Sequence, residues 1–461
     1  MTTTTDRLPG AKITVGPQSW QVLQREDDGR APLTLAGVWV GDAPSTVEVR
    51  VARTYDLAPA AGCDWRDAEM LDGNAWRITI RVPTGGPYNL ETRVRTHGAE
   101  WRNSGDKIWH VAVGDVWVIT GQSNAVGYGH GPVVDPPALG VSLFGMNDIW
   151  RLATHPLFDS TGTKYPANRD SGWVDVSPWL AFGKEILATA GVPIGIIPAA
   201  LGGSPLSAWD PGNPDGAYLY ENMHDMIAAA GGRVAGMAWY QGCSDAGIEQ
   251  AQTYLERFTR FITDFRARYG EVPVITVQLN RHLDGLSEGD RGWAIVREAQ
   301  RQAARLIPQL AVVSSLDLGL SDGIHTSATG NVILGQRCAR AALGMHYGVD
   351  IPWRAVDVAG AQFVDGARNT IRVHFIHEDD HLVFLCAKPA DFTVEDAGGS
   401  ITVSKAWVDG TTTVLLELER AAVGRTVCHN MFGANPVSVL RDHLQRPVLA
   451  FTDIEVDDSS C

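Results

Sequence analysis

"GDVWVITGQSNAVGYG", residues 114–129, is the stretch on which the reading of this chain turns. Val116 to Ile119 are apolar and largely β-branched, as in a buried strand, and the polar tetrad Gly121-Gln122-Ser123-Asn124 follows at once. Taken alone the tetrad fits an ordinary turn, because Gly, Ser and Asn are turn formers. A serine at the carboxyl end of a buried strand is also where an open α/β sheet can present a nucleophile.

Working outward, Val111 to about Tyr347 alternates strand-like and helix-like segments. Strands are expected at Val116–Ile119, Pro193–Pro198, Val234–Tyr240, Val272–Leu279 and Leu310–Leu316. "SPWLAFGKEILATAG" reads as a helix with Ser177 as N-cap, Pro178 at its first position and Gly191 as its stop. "AQTYLERFTRFITDFRARYG" sets Leu255, Phe258, Phe261, Ile262 and Phe265 on one face and ends at Gly270. Such alternation predicts an α/β domain, a parallel sheet between layers of helices, with its ligand site beyond the carboxyl ends of the strands. On either side the texture is all-β. "STVEVRVARTY", "AWRITIRVP" and "YNLETRVRT" precede it, and "NTIRVHFIH", "HLVFLCA", "SITVSKAWV" and "TTTVLLEL" follow. The expected division is an N-terminal β-sandwich over 1–110, an α/β domain over 111–348 and a C-terminal β-sandwich-like domain over 349–461.

Composition narrows the function. The 461 residues are 44% hydrophobic and 20% charged, with a formal net charge of -15. That sign speaks against nucleic acid and against an anionic membrane surface as partners. No run is long enough to span a bilayer, and "MTTTTDRLPG" lacks the apolar segment of a secretory signal, so a cytoplasmic location is expected. The six cysteines (Cys63, Cys243, Cys338, Cys386, Cys428, Cys461) have no CxxC or tight spacing, which speaks against a disulfide framework or a zinc knuckle. Nothing in the sequence specifies an oligomeric state.

Four of the expected strand ends carry unusual chemistry. The first has the Ser123 tetrad, the second "LGGSPLSAW" with Gly202, Gly203 and Trp209, the third "WYQGCSD" with Gln241, and the fifth "SDGIH" with Asp322 and His325. Acyl transfer needs these parts. A serine hydroxyl is a weak nucleophile until a base takes its proton, and histidine suits that near neutral pH. A carboxylate must orient the histidine, and Asp322 is three residues from His325 in a glycine-containing loop. An oxyanion needs donors, which N–H groups beside the glycines and the Gln241 amide can supply.

These four blocks, in this order, resemble the SGNH-hydrolase superfamily, and within it the sialate O-acetylesterase-like carbohydrate esterases. "VPTGGPYNLETRV" and "GANPVSVLRDHLQRPVLAF" extend the resemblance over most of the chain. It implies a flavodoxin-like three-layer catalytic domain and hydrolysis of O-acetyl esters on carbohydrates through an acetyl-enzyme, with neither metal nor organic cofactor. Ser123 matches the nucleophile, His325 the base and Asp322 its orienting carboxylate. The Ser123 N–H, a glycine N–H at Gly202 or Gly203, and the Gln241 side chain match the oxyanion hole. Gln122, Asn124 and Trp209 are the candidate substrate contacts. One departure is Cys243, where the family usually has glutamate; that carboxylate supports the glutamine loop, and a thiol is a poor substitute.

Competing readings exist for several of these residues. The leaving alcohol need not be a sugar, which would make the protein a broader short-chain esterase. A non-catalytic carbohydrate binder with a degenerate site is the other alternative, and Cys243 is the feature favouring it. Cys243 as a rival nucleophile would need an electropositive setting or its own histidine. "HEDDH", residues 377–381, fits the H-E-x-x-H zinc pattern in letters only, because the flanking segments alternate like strands and place it in a hairpin turn. "GGSPL" lacks the last glycine of a G-x-S-x-G elbow. Trp209 and Trp239 can stack on a sugar or pack in the core.

Overall fold

The computed structural model describes residues 10–41, 44, 46–96, 101–170, 172–283, 289–376, 381–385 and 392–458. Its organising element is one long strand, Arg102–Gly121, that belongs to two structures at once. Its first half pairs antiparallel with Gly85–Arg95, which pairs with Thr46–Arg53. Its second half pairs in parallel with Ile194–Pro198 on one side and Gly236–Tyr240 on the other. The strand therefore runs through the expected division at residue 110. A second sheet, Gly10–Val15, Arg30–Val40, Ala75–Pro83 and Glu69–Met70, lies against the first half. Leu33, Leu35, Val47, Val49, Val51, Trp76 and Leu90 fill a common core.

The parallel sheet runs Val141–Phe144, Ile194–Pro198, Arg102–Gly121, Gly236–Tyr240, Val274–Gln278 and Leu310–Ser314, with Trp150–Leu152 antiparallel at its edge. All five expected strands are present. The hairpin Val141–Phe144/Trp150–Leu152 was not expected, since strands of four and three residues are too short to show a period. Leaving that hairpin aside, the strands run 2-1-3-4-5 in chain order, so the connections change direction at Arg102–Gly121. Ligands in open sheets bind at such a switch point, beyond the carboxyl ends.

Both quoted helical segments are helices. Tyr254–Tyr269 buries Phe258, Phe261, Ile262 and Phe265 against the sheet, each worth about 1.5–3 kcal/mol. Gly270 closes it, donating its N–H to Arg266. Trp179–Ala190 ends at Gly191 in the left-handed region, as expected. Its start differs from expectation: Pro178 is the cap position, and the buried Ser177 hydroxyl finds no partner among the described residues.

The C-terminal strands form an eight-stranded sheet around Val373, Phe375, Leu416 and Phe451. Here the expected hairpin is corrected. Thr370–Ile376 pairs with Asp357–Phe363 and Thr413–Leu418, whereas Leu382–Phe384 pairs with Leu440–Asp442. His377 to Asp380 of "HEDDH", like Cys386 and Cys461, lie outside the described residues. Cys63, Cys243, Cys338 and Cys428 are free thiols. No described helix is long and apolar enough to cross a membrane.

Asp115, at the base of the parallel half of the central strand, ties the N-terminal segment down. It is buried and accepts hydrogen bonds from Arg25 Nε (2.9 Å), Arg25 Nη2 (2.8 Å) and Gln24 Nε2 (3.0 Å). Burial alone would raise its pKa, but His346 and Arg25 outweigh that and hold it at about 2. A carboxyl depressed below its unfolded value stabilises the fold above about pH 4, and the contribution disappears as pH falls toward 2. Asp115→Ala is expected to lower unfolding free energy in urea by roughly 2–4 kcal/mol at pH 7. The gap to wild type should shrink below about pH 4; a gap independent of pH would rule out the ion pair as its source.

Candidate active site

The central strand ends at Gly121, where its neighbour leaves no room for a side chain. Gly121 has φ +121°, and a Cβ there would lie 2.3 Å from the Tyr240 carbonyl oxygen. Gln122 then donates its N–H to that same oxygen at 3.0 Å, which starts the turn into the short helix Ser123–Val126. Ser123 is thereby held at the switch point.

There Ser123 Oγ lies 2.9 Å from His325 Nε2, and His325 Nδ1 lies 2.6 Å from Asp322 Oδ2. An ionised Asp322 only accepts, so the Nδ1 proton belongs on that side and Nε2 is left to accept from Ser123. Asp322 also accepts the N–H groups of Ile324 (2.8 Å) and His325 (2.7 Å). Burial opposes ionisation of Asp322, but the Ile324 N–H and the His325 ring and N–H outweigh it and hold the carboxyl below the usual range. Asp317, five residues before Asp322, is engaged by Arg337 instead. The arrangement can deprotonate a serine and stabilise the imidazolium that results.

The loop of Gly202 and Gly203 is pinned above the same strand end. Leu201 donates its N–H, and Ser204 its hydroxyl, to the Gly121 carbonyl at 3.0 and 3.2 Å. Of the two expected glycine donors, Gly202 is already committed, its N–H bonding Asp170 Oδ2 at 2.9 Å. The N–H groups of Ser123 and Gly203 have no acceptor among the described residues.

Four further expectations are corrected by burial. Gln241 is 0% exposed and spends both amide hydrogens, on the Ser204 carbonyl (3.2 Å) and on Asp245 Oδ2 (2.6 Å), so its side chain is not aimed at a substrate. Trp209 is also 0% exposed; it bonds Ser204 Oγ and stands edge-on to Trp239 in the core. Gln122 uses its carbonyl oxygen to hold the Gly242 and Ser244 N–H groups (2.9 and 3.3 Å). Asn124 is a clamp, donating to the Ile324 carbonyl (3.2 Å) and accepting the Thr326 N–H (3.0 Å), which fastens the histidine loop to the serine helix.

The carboxylate missing at position 243 has a replacement two residues on. Asp245 receives Gln241, the Leu206 N–H (2.8 Å) and Arg257 Nη2 (3.0 Å), so the glutamine loop stays supported. Burial pushes the Cys243 thiol up to about 12 despite the charge of nearby Arg297, which keeps it neutral and unreactive. Arg297 is itself fully buried and grips the carbonyls of Leu279, Asn280, Gly433 and Ala434, joining the catalytic sheet to the C-terminal region. Burial draws its pKa down to about 9.

Two residues at the site escaped the sequence reading. The Tyr128 ring stacks on His325 at 4.9 Å and 22°, and its hydroxyl donates to Asp170. Asp170 therefore joins Tyr128, Gly202 and the Gly172 N–H (2.8 Å) in one cluster. Tyr128 lay within the opening stretch but looked like any half-buried aromatic, and Asp170 sits in a loop without a pattern. A cavity of about 900 Å³ opens at the other end of the strands, beside Asp115, Val234, Pro273 and Gln309, away from these groups. Among the described residues no group of three or more His, Cys, Asp or Glu can hold a metal ion.

A serine–histidine–carboxylate line at the switch point of a parallel sheet is the arrangement of a hydrolase that transfers acyl groups. Residues 113–344, half of the chain, match the family described as carbohydrate esterase, sialic acid-specific acetylesterase, and the chain belongs to that family. It is a carbohydrate acetylesterase, a carboxylic ester hydrolase. A probable carbohydrate esterase of Arabidopsis thaliana is 28% identical over 251 residues, 50% of this chain and 90% of that protein. A crystal structure of a carbohydrate acetylesterase from Xanthomonas citri has the same fold at TM-score 0.66 and 24% identity, over 95% of this chain and 99% of that one.

Asp170→Asn keeps the size of the side chain but turns one acceptor into a donor facing Tyr128, Gly172 or Gly202. It is expected to reduce kcat for acetate release about ten-fold or more, with KM nearly unchanged. An unchanged kcat would detach this cluster from the chemistry.

Proposed function

We propose that the protein is a serine esterase that removes acetyl groups from O-acetylated carbohydrates, working on an SGNH-type, flavodoxin-like sheet. The observation that carries this reading is the continuous line Ser123 Oγ–His325 Nε2 (2.9 Å) and His325 Nδ1–Asp322 Oδ2 (2.6 Å). The 2-1-3-4-5 strand order supports the fold assignment. The expected three-part division of the chain fits it, with the long strand Arg102–Gly121 making the join between the first two parts continuous.

In this mechanism His325 Nε2 takes the Ser123 proton as Oγ attacks the acetyl carbonyl carbon. The tetrahedral oxyanion is met by the N–H groups of Ser123 and Gly203, both without an acceptor among the described residues. Asp322 stabilises the imidazolium while His325 returns the proton to the departing sugar oxygen, breaking the C–O bond and leaving acetyl-Ser123. A water molecule, deprotonated by His325, then attacks the acyl carbon; the proton passes back to Ser123 Oγ and acetate leaves.

Ser123→Ala is expected to lower kcat/KM for acetate release by about 10³ or more, and Asp322→Asn by roughly 10²- to 10⁴-fold. Retention of most activity by Ser123→Ala would remove that residue from the reaction. Acetate release from 9-O-acetyl-sialic acid and from acetylated xylo-oligosaccharides, set against butyryl esters, separates a sugar acetylesterase from a broader short-chain esterase.

A further inference from the structure

Trp173 is 81% exposed, on a loop linked to His325 through Asp170 and Tyr128. That is an unusual place for the largest apolar side chain, which is highly buried on average. The loop is fastened on both sides of it. Gly172 donates its N–H to Asp170, whose partner Tyr128 is stacked on His325. Asp175 donates its N–H to the carbonyl of Gly127 at 2.8 Å, and Gly127 closes the short helix that begins with Ser123. Val174, between them, packs against the main core, so the chain alternates and Trp173 faces outward. The indole makes no ring contact among the described residues.

We propose that Trp173 is the stacking platform for the pyranose ring that carries the ester, holding that ring while its acetyl group reaches Ser123; this rests on the serine-esterase reading above. A sugar ring offers an apolar C–H face with hydroxyls around its rim. A tryptophan ring covers such a face with large area and little loss of side-chain freedom, which is why tryptophan is prominent at binding hot spots. A loop held at Gly172 and Asp175 keeps the indole in place without a partner of its own. The other highly exposed tryptophan, Trp101, is 70% exposed but precedes the far end of Arg102–Gly121. The twenty-residue strand, up to roughly 66 Å along its path at about 3.3 Å per residue, lies between it and Ser123. It serves as the control.

The test compares wild type, Trp173→Ala, Trp173→Phe and Trp101→Ala on an acetylated xylo-oligosaccharide, on 9-O-acetyl-sialic acid and on ethyl acetate, which has no ring to stack. For whichever sugar ester wild type hydrolyses, Trp173→Ala should raise KM about ten-fold or more, and Trp173→Phe should recover much of it. Ethyl acetate turnover should stay within about two-fold in every variant, and Trp101→Ala should match wild type. An equal loss on sugar ester and ethyl acetate, or no loss on either, overturns the platform. So does a wild type that hydrolyses ethyl acetate but neither sugar ester. Failure of the underlying reading looks different: Ser123→Ala would keep its activity on ethyl acetate.

Discussion

Everything at the catalytic end depends on how tightly Gly121 meets Tyr240. The last residue of the central strand must have no side chain, because the Tyr240 carbonyl occupies the space a Cβ would need. That carbonyl then takes the Gln122 N–H, and the chain turns into the Ser123 helix in a single step. Ser123 is thus positioned by main-chain contacts between two parallel strands, the most rigid part of an open sheet. The Gly202–Gly203 loop leans on the same point through the Gly121 carbonyl. Serine and glycine loop therefore share one reference.

Around that reference the polar side chains act on the backbone. Gln122 holds the Gly242–Ser244 turn, Asn124 holds the histidine loop, Asp170 holds Gly202 and Tyr128, and Asp245 holds Gln241 and the chain at Leu206. Buried polar groups need partners, and here the partners are the loops that carry the reactive atoms. The glutamine NH2 group, expected to meet the oxyanion, is spent inside the protein on Ser204 and Asp245. The apparent defect at Cys243 is offset in the same way, because the carboxylate needed to hold Gln241 arrives from Asp245, with Arg257 as its counter-ion.

The long strand Arg102–Gly121 also explains why the N-terminal β-region is not a detachable appendage. One backbone carries its antiparallel pairing with Gly85–Arg95 and the parallel pairing that bears the site. The C-terminal region is joined by buried side chains instead. Arg297 grips the Gly433 and Ala434 carbonyls, and the Gln278 amide exchanges two hydrogen bonds with the Ala450 backbone.

Much of this was legible in the chain itself. The β-branched run before Ser123, the amphipathic spacing of Phe258, Phe261 and Phe265, and Gly191 and Gly270 as stops are local signals, because strand and helix periods and left-handed caps are local physics. The line Ser123–His325–Asp322 was legible too as a candidate site, since serine, aspartate and histidine at strand ends have few alternatives that fit acyl transfer so well. Which polar groups face the cleft and which are spent on the backbone was not legible. Gln241, Gln122, Asn124 and Trp209 sit beside the reactive residues in sequence, yet the loops from distant strands that close over them turn each one inward. Asp170 and Tyr128 show the converse, for Tyr128 meets His325, and Asp170 meets Tyr128 and Gly202, only after separate loops converge. Local periodicity and residue chemistry determined the strands, the helices and the candidates for the site; only tertiary packing decided which hydrogen bonds remained open, because that depends on groups far apart along the chain.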